Sequence, residues 1–404
     1  MTRVKFLVLG AGPSGLAFAH TLLAQGEDSF LVLEKEAEPG GLCRSQDVDG
    51  SPLDIGGGHF LDVRRKEVLD LLFRFMPESE WERFDRVAKV RLRGVEVDHP
   101  LEGNLWQLPV EAQADFLESI ARAGAVAGAP MPETFEDWIR WKLGDRIAEE
   151  YMLPYNRKIW SMDLNRLGTY WLYKLPNVSF RETLMSCLKR QAEGSLPAHG
   201  VFLYPKKAGY GEVWRRMGAA LGERLQFDTP VRELDLDTKT VNREFQAGWI
   251  VNTIPWPIWK QATTLPAPIT KAISELASIP VAVDYEPKAP PGKAHWIYEP
   301  DEKLPYHRIL CRNNFCGGAR GCWTETNSAR SGPAQNFRHH NEFAYPVNTA
   351  GKPAAVEAIT KWAPSASDLP LGRWGLWEHM NSDVAVSQAI AVAKDILKKD
   401  GVGA

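Results

Sequence analysis

The chain has 404 residues, 44% of them hydrophobic and 25% charged, with a formal net charge of −3. That length predicts two or three domains, and a charge this near neutral gives no electrostatic basis for a nucleic acid or acidic-membrane partner. No apolar run has transmembrane length, FLVLGAG is too short for a signal peptide, and the scattered cysteines (Cys43, Cys187, Cys311, Cys316, Cys322) match no metal spacing.

A cytoplasmic protein with reduced thiols and no metal site is therefore expected, and self-association into a homo-oligomer is left open. The first element is VKFLVLGAGPSGLAFAHTLLAQG, read as a buried strand over Lys5–Leu9, a tight turn and a helix from about Ser14 to Ala24. A second strand, SFLVLEK, ends at Glu34. This is G-x-G-x-x-G in strand–turn–helix context with an acidic residue about twenty positions on, the pattern of a dinucleotide site. Gly10 allows the turn, Gly12 admits a pyrophosphate to the backbone N–H groups, and Gly15 lets helix and strand pack closely. The helix N-terminus at Ser14 favours phosphate charge. Glu34, followed by Lys35, can accept hydrogen bonds from a ribose.

Further along lies LDIGGGHFLDV. Three glycines in succession cost backbone entropy and build no core, so something must approach the main chain at Gly56, Gly57 and Gly58, with His59 beside it. Residues 100–175 read as helical. In PETFEDWIRWKLGDRIAEEY, Thr134 and Asp137 have capping-box spacing, and Phe135, Trp138, Ile139 and Trp141 crowd toward an apolar stripe. From 265 to 350 the pattern becomes strands such as VAVDY, HRILC and GCWTET between proline-rich turns, with 326–342 read as a mobile loop.

The segment after Glu34, KEAEPGGLCRS, carries Gly40-Gly41, Leu42 and Arg44. It is similar to that of flavoproteins of the amine oxidase and protoporphyrinogen oxidase group, which implies FAD. No second glycine fingerprint follows, so a separate NAD(P)H domain is not expected.

Several motifs in order resemble the UDP-galactopyranose mutase family. GGGHFLDV resembles its flavin loop, which places His59 at the flavin. YNRKIW resembles the segment with a base-stacking tyrosine and a sugar-side tryptophan, here Tyr155 and Trp160. PYHRILCRNNF resembles a strand bearing a diphosphate arginine, here Arg308, with Asn314 as a further substrate contact. FAYPVNT places Tyr345 at the diphosphate. GRWGLWEHMNSDVAVSQAI resembles the closing flavin motif, with Arg373 at the pyrophosphate and Asp383 opening a helix toward the flavin. LYPKKAGYGEVWRRM and WIVNTIPWPIW fit the cofactor end. Two departures stand out: Asp62 occupies the place of a second loop histidine, and neither Arg181 nor Lys174 aligns with a second diphosphate arginine.

The resemblance implies an α/β fold: a Rossmann-like FAD domain (1–75, 200–262, 355–404), a helical insert (100–175) and an antiparallel substrate sheet (76–99, 265–350). It implies FAD held by Gly10, Gly12, Ser14, Gly15, Glu34, Lys35, Gly41, Leu42, Gly57, Gly58, His59, Arg373 and Asp383. His59, Arg308 and Tyr345 take the catalytic roles. The implied activity is pyranose–furanose interconversion of a UDP-linked sugar, with N5 of reduced FAD as nucleophile. The alternative is a flavin oxidase or dehydrogenase of the amine oxidase or protoporphyrinogen oxidase type.

Overall fold

The computed structural model describes residues 1–175, 177–194 and 200–399. Its first sheet grows from the opening run: Phe6, Leu7, Val8 and Leu9 are fully buried, as expected of a parallel strand covered on both faces. The strand Thr2–Leu9 is flanked in parallel by Phe30–Leu33 and Phe245–Asn252. Leu225–Gln226 extends the sheet in parallel on one side, and Asp368–Pro370 pairs in parallel with Phe245–Asn252. Strands from 2–33, 225–252 and 368–370 thus form one α/β layer. The helices Pro13–Ala24 and Ser382–Lys399 pack together beside it.

Among the described residues the second sheet has seven strands, in the order Arg338–Pro346, Ser278–Glu286, Cys322–Asn327, Arg308–Leu310, Trp296–Tyr298, Ala88–Leu92, Val95–Asp98. It is antiparallel except where Trp296–Tyr298 meets Ala88–Leu92 in parallel. That exception corrects the all-antiparallel expectation: Ala88–Leu92 arrives from before the helical insert and is not bound by hairpin direction. The stretch 76–99 is also divided. Trp81–Asp85 pairs instead with Val201–Pro205, which in turn pairs with Leu61–Asp62.

Along the chain, between strands Val95–Asp98 and Val201–Pro205, come helices Val110–Ala121, Phe135–Ile147, Leu153–Trp160 and Phe180–Lys189. The insert therefore runs past 175, to Lys189. Thr134 is the N-cap of the second helix, but its hydroxyl binds the Asp137 and Asn165 side chains and no backbone N–H. Phe135, Trp138 and Ile139 are buried as expected; Trp141 is not, and donates its indole N–H to Ala129 O at 2.9 Å. The stretch 326–342 belongs partly to strands, with Asn327 and Arg338–Asn341 both paired to Ser278–Glu286, so the loop proper is shorter. Among the described residues, no helix is long and apolar enough to cross a membrane, and no cluster of three or more His, Cys, Asp or Glu is arranged for a metal ion.

Candidate functional site

The amino-terminal turn is built from glycines with different duties. Gly10 sits at φ +101°, and a Cβ on Gly15 would lie 2.0 Å from the Gly10 carbonyl oxygen. Gly12 has open space within 4 Å, with Gly41 facing its Cα across the turn. Room beside bare backbone at a helix N-terminus fits a pyrophosphate. Glu34, buried, accepts from the N–H of Ala11 (2.8 Å) and of Glu36 (3.0 Å). Burial raises its pKa and these donors oppose the rise. Lys35 points to solvent and pairs with Glu36.

The carboxyl-terminal motif closes the same cradle. Gly372, at φ +69°, packs so tightly on Ser14 that a Cβ would lie 2.0 Å from its hydroxyl. Arg373 donates to the carbonyls of Ala344 (2.9 Å) and Met380 (2.8 Å), tying the second sheet to this turn. Asp383 is buried; one oxygen accepts from Arg65 at 2.9 Å, and the other has no partner among the described residues. A buried acceptor left open is an anomaly unless a donor is supplied from outside, and the hydroxyls of FAD supply such donors. The residues present fit the cofactor.

The glycine run is crowded by the protein itself. A Cβ on Gly56 would lie 1.8 Å from the Leu42 carbonyl oxygen. Gly57 combines φ +98° with the Glu325 carboxylate 2.9 Å from its Cβ position, and Gly58 meets the Leu310 side chain at 2.3 Å. Each glycine is demanded by protein atoms before any flavin is considered: what approaches the main chain here includes Leu42, Glu325 and Leu310. His59 follows, its Nδ1 3.1 Å from Gly57 O, so that nitrogen carries the hydrogen and donates. Burial, with Arg373 and Arg308 nearby, pushes His59 down to about 3, leaving the imidazole neutral.

Arg308 and Tyr345 are brought together: Arg308 Nη2 donates to Tyr345 Oη at 3.0 Å. The organiser is Glu325, fully buried and directly opposite Arg308 in the strand register. Its Oε2 accepts from Arg308 Nε at 3.0 Å and from Nη2; its Oε1 accepts from Gly58 N at 2.8 Å. One carboxylate thus joins the glycine loop to the arginine. Burial works against the Arg308 charge, but Glu325 and the phenols around it outweigh burial and hold the pKa well above its ordinary value. The Arg308 side chain remains 21% exposed. Among the described residues its Nη1 makes no hydrogen bond, and the Tyr345 hydroxyl proton is uncommitted.

Tyr155 stands edge-on to Tyr298, with ring centroids 5.4 Å apart, and 6.2 Å from His307. Trp160 is buried, donates to Asn156 Oδ1 and packs on Trp171, a core position. Asn314 is not brought to the cleft: its amide donates to the carbonyls of Gly292 and Ala294. Asp62 is buried and accepts from Arg64 N and Nε, so it does not replace the second histidine chemically. Arg181 is exposed on its helix. Sequence reasoning missed Glu325 and Tyr298. A glutamate inside the buried strand CWTETN was the available signal, but its partner appears only with the strand register.

The model for flavin-containing amine oxidoreductases matches residues 13–283, well over half of the chain. The chain belongs to this family. As a member of this family it binds FAD. Its fold is similar to that of reduced UDP-galactopyranose mutase (TM-score 0.88, 20% identity, 98% of this chain and 94% of that one). Cyclohexylamine oxidase from Brevibacterium oxydans IH-35A gives a TM-score of 0.67 at 16% identity, over 97% of this chain and 99% of that one. At such identities these likenesses establish the fold. Putrescine oxidase from Kocuria rosea is 26% identical over 250 residues, 56% of this chain and 48% of that protein. The chain spans about half the length of the curated relatives it matches first.

Proposed function

We propose that this flavoenzyme interconverts pyranose and furanose forms of a nucleotide sugar, UDP-linked by preference. The observation that carries the reading is the Arg308–Tyr345 pair, with Arg308 Nη1 and the Tyr345 hydroxyl proton both free to meet one anionic group. A guanidinium N–H and a phenol hydroxyl beside it suit an anionic diphosphate. The mutase-like fold supports the same reading. Reduced FAD, when bound, supplies a nucleophilic nitrogen for displacement at an anomeric carbon. The chain's own residues do the rest. Arg308 and Tyr345 hold the departing diphosphate within reach for its return, and Tyr155 offers a ring for the base. His59, neutral and fixed by Gly57 O, adds no charge beside the flavin.

A second reading, oxidation of a substrate by FAD, is favoured by the family itself and by the similarity to putrescine oxidase. The experiment that separates the two incubates purified enzyme with UDP-galactopyranose, with and without dithionite, and resolves ring isomers by chromatography. The mutase reading expects conversion only after reduction, with no stoichiometric use of oxygen. Turnover by oxidised enzyme with formation of hydrogen peroxide selects the oxidase.

A further inference from the structure

Lys158 is among the buried cations outside this clamp. Lys158 is 0% exposed, and its ammonium donates to the carbonyl oxygens of Glu299 and Asp301, both at 2.7 Å. Burial lowers its pKa to about 8; Arg330 pushes the same way, while Glu299, Asp301 and Glu302 oppose. A methionine fills similar space without the desolvation penalty of an ammonium. Packing alone therefore does not account for a lysine here.

The two carbonyls belong to the loop between strands Trp296–Tyr298 and Arg308–Leu310. The first strand presents Tyr298 edge-on to Tyr155, and the second begins at Arg308, just after His307. Tyr155 and Lys158 are three residues apart on helix Leu153–Trp160 and so share a face. One helix face thus meets this hairpin twice, ring against its strands and ammonium in its loop. Asn327, on the strand that carries Glu325, donates to the neighbouring Ile159 carbonyl at 2.7 Å and completes the attachment.

We infer that Lys158 is a positioning residue: it fixes the helix against the hairpin so that Tyr155 and Arg308 stand at the separation one nucleoside diphosphate spans. The inference rests on the nucleotide-sugar reading. A lysine that merely supports the fold affects all ligands alike, whereas a positioning lysine affects those that engage Tyr155 and Arg308 together.

The test titrates FAD-loaded protein with UDP and with inorganic pyrophosphate, using wild type, Lys158→Met, Tyr155→Ala and the double variant. Lys158→Met is expected to weaken UDP binding about tenfold, on the scale of a lost base stack, and to leave pyrophosphate binding within about twofold. In the Tyr155→Ala background it is expected to cost nothing more, because the two residues act through one contact. Unchanged UDP affinity in Lys158→Met, equal losses for both ligands, or full additivity with Tyr155→Ala overturns the inference and leaves the functional reading standing. A wild-type enzyme that binds pyrophosphate but not UDP overturns the nucleotide reading and the inference with it. Should Lys158→Met fail to retain FAD, Lys158→Gln, which keeps an N–H donor, carries the same comparison.

Discussion

Arg308 has two duties, pairing a buried carboxylate through Nε and Nη2 and keeping Nη1 for a ligand, and substitutions separate them. Arg308→Ala leaves Glu325 as an unpaired buried charge, so about 3–5 kcal/mol of stability is expected to go with it. Arg308→Lys keeps a charge for Glu325 but, with a single ammonium, loses the separate Nη1 donor left for a phosphate. It is expected to melt close to wild type while losing about 1.5–3 kcal/mol in kcat/KM, the scale of a charged hydrogen bond. Tyr345→Phe, which removes one hydroxyl, should cost about 0.5–1.5 kcal/mol. Thermal melting and steady-state kinetics on the three variants check this; wild-type kinetics for Arg308→Lys would remove Arg308 from the site. Arg308 was legible as a candidate only through its motif. Glu325 was not, because a cross-strand partner 17 residues away is visible only once the register pairs them.

The strand–turn–helix at the amino terminus acts as a unit, and its glycines divide between folding and binding. Gly15 touches protein: a Cβ there would strike the Gly10 carbonyl at 2.0 Å, and neither backbone can yield. Gly12 touches nothing within 4 Å. Gly15→Ala is therefore expected to lower the melting temperature of apoprotein and holoprotein alike, by the equivalent of about 1–3 kcal/mol of overpacking. Gly12→Ala should leave the apoprotein's melting unchanged yet purify with little flavin, since its methyl occupies the space the pyrophosphate needs. Flavin absorbance per chain, read beside the apoprotein melt, tests both; full flavin in Gly12→Ala would remove that glycine from the cofactor site. This element could be read from sequence because its pattern is local, a run of about 35 residues whose spacing is its geometry. The insert boundary could not: helix Phe180–Lys189 belongs to it by packing, with no break in composition at 175 to mark the edge.

Across the whole molecule, Asp54 joins segments far apart in the chain. It is fully buried and accepts from Ser45 Oγ, Tyr204 Oη (3.0 Å) and Tyr210 N (3.1 Å). Burial pushes its carboxyl up to about 7 from an ordinary 3.8, against the pull of those donors. The folded protein then keeps a proton that the unfolded chain has released. Stability from this group is fully present below about pH 4 and is lost as pH rises through about 7. Wild type is accordingly expected to lose more melting temperature than Asp54→Asn between pH 5 and pH 8. The variant's own baseline should be lower by about 1–3 kcal/mol where its amide faces donors. Parallel pH slopes in the two proteins would show that Asp54 does not titrate in this range.

What the sequence determined by itself was whatever is written in short spacings: the parallel strands as continuous apolar runs, the glycine fingerprint, Glu34, the FAD expectation, and the order of motifs that brought Arg308 and Tyr345 into question together. Each depends on neighbours within a few dozen residues, where chain connectivity already fixes the geometry. The tertiary structure alone decided the long-range matters. It set Glu325 against both Arg308 and Gly58, showed that Leu42, Glu325 and Leu310 demand the glycine run, turned Asn314 and Trp160 to structural contacts, and buried Lys158 in the hairpin loop. Those outcomes depend on which strands lie side by side and which side chains then collide or pair. That is a property of packing across hundreds of residues, and no local spacing encodes it.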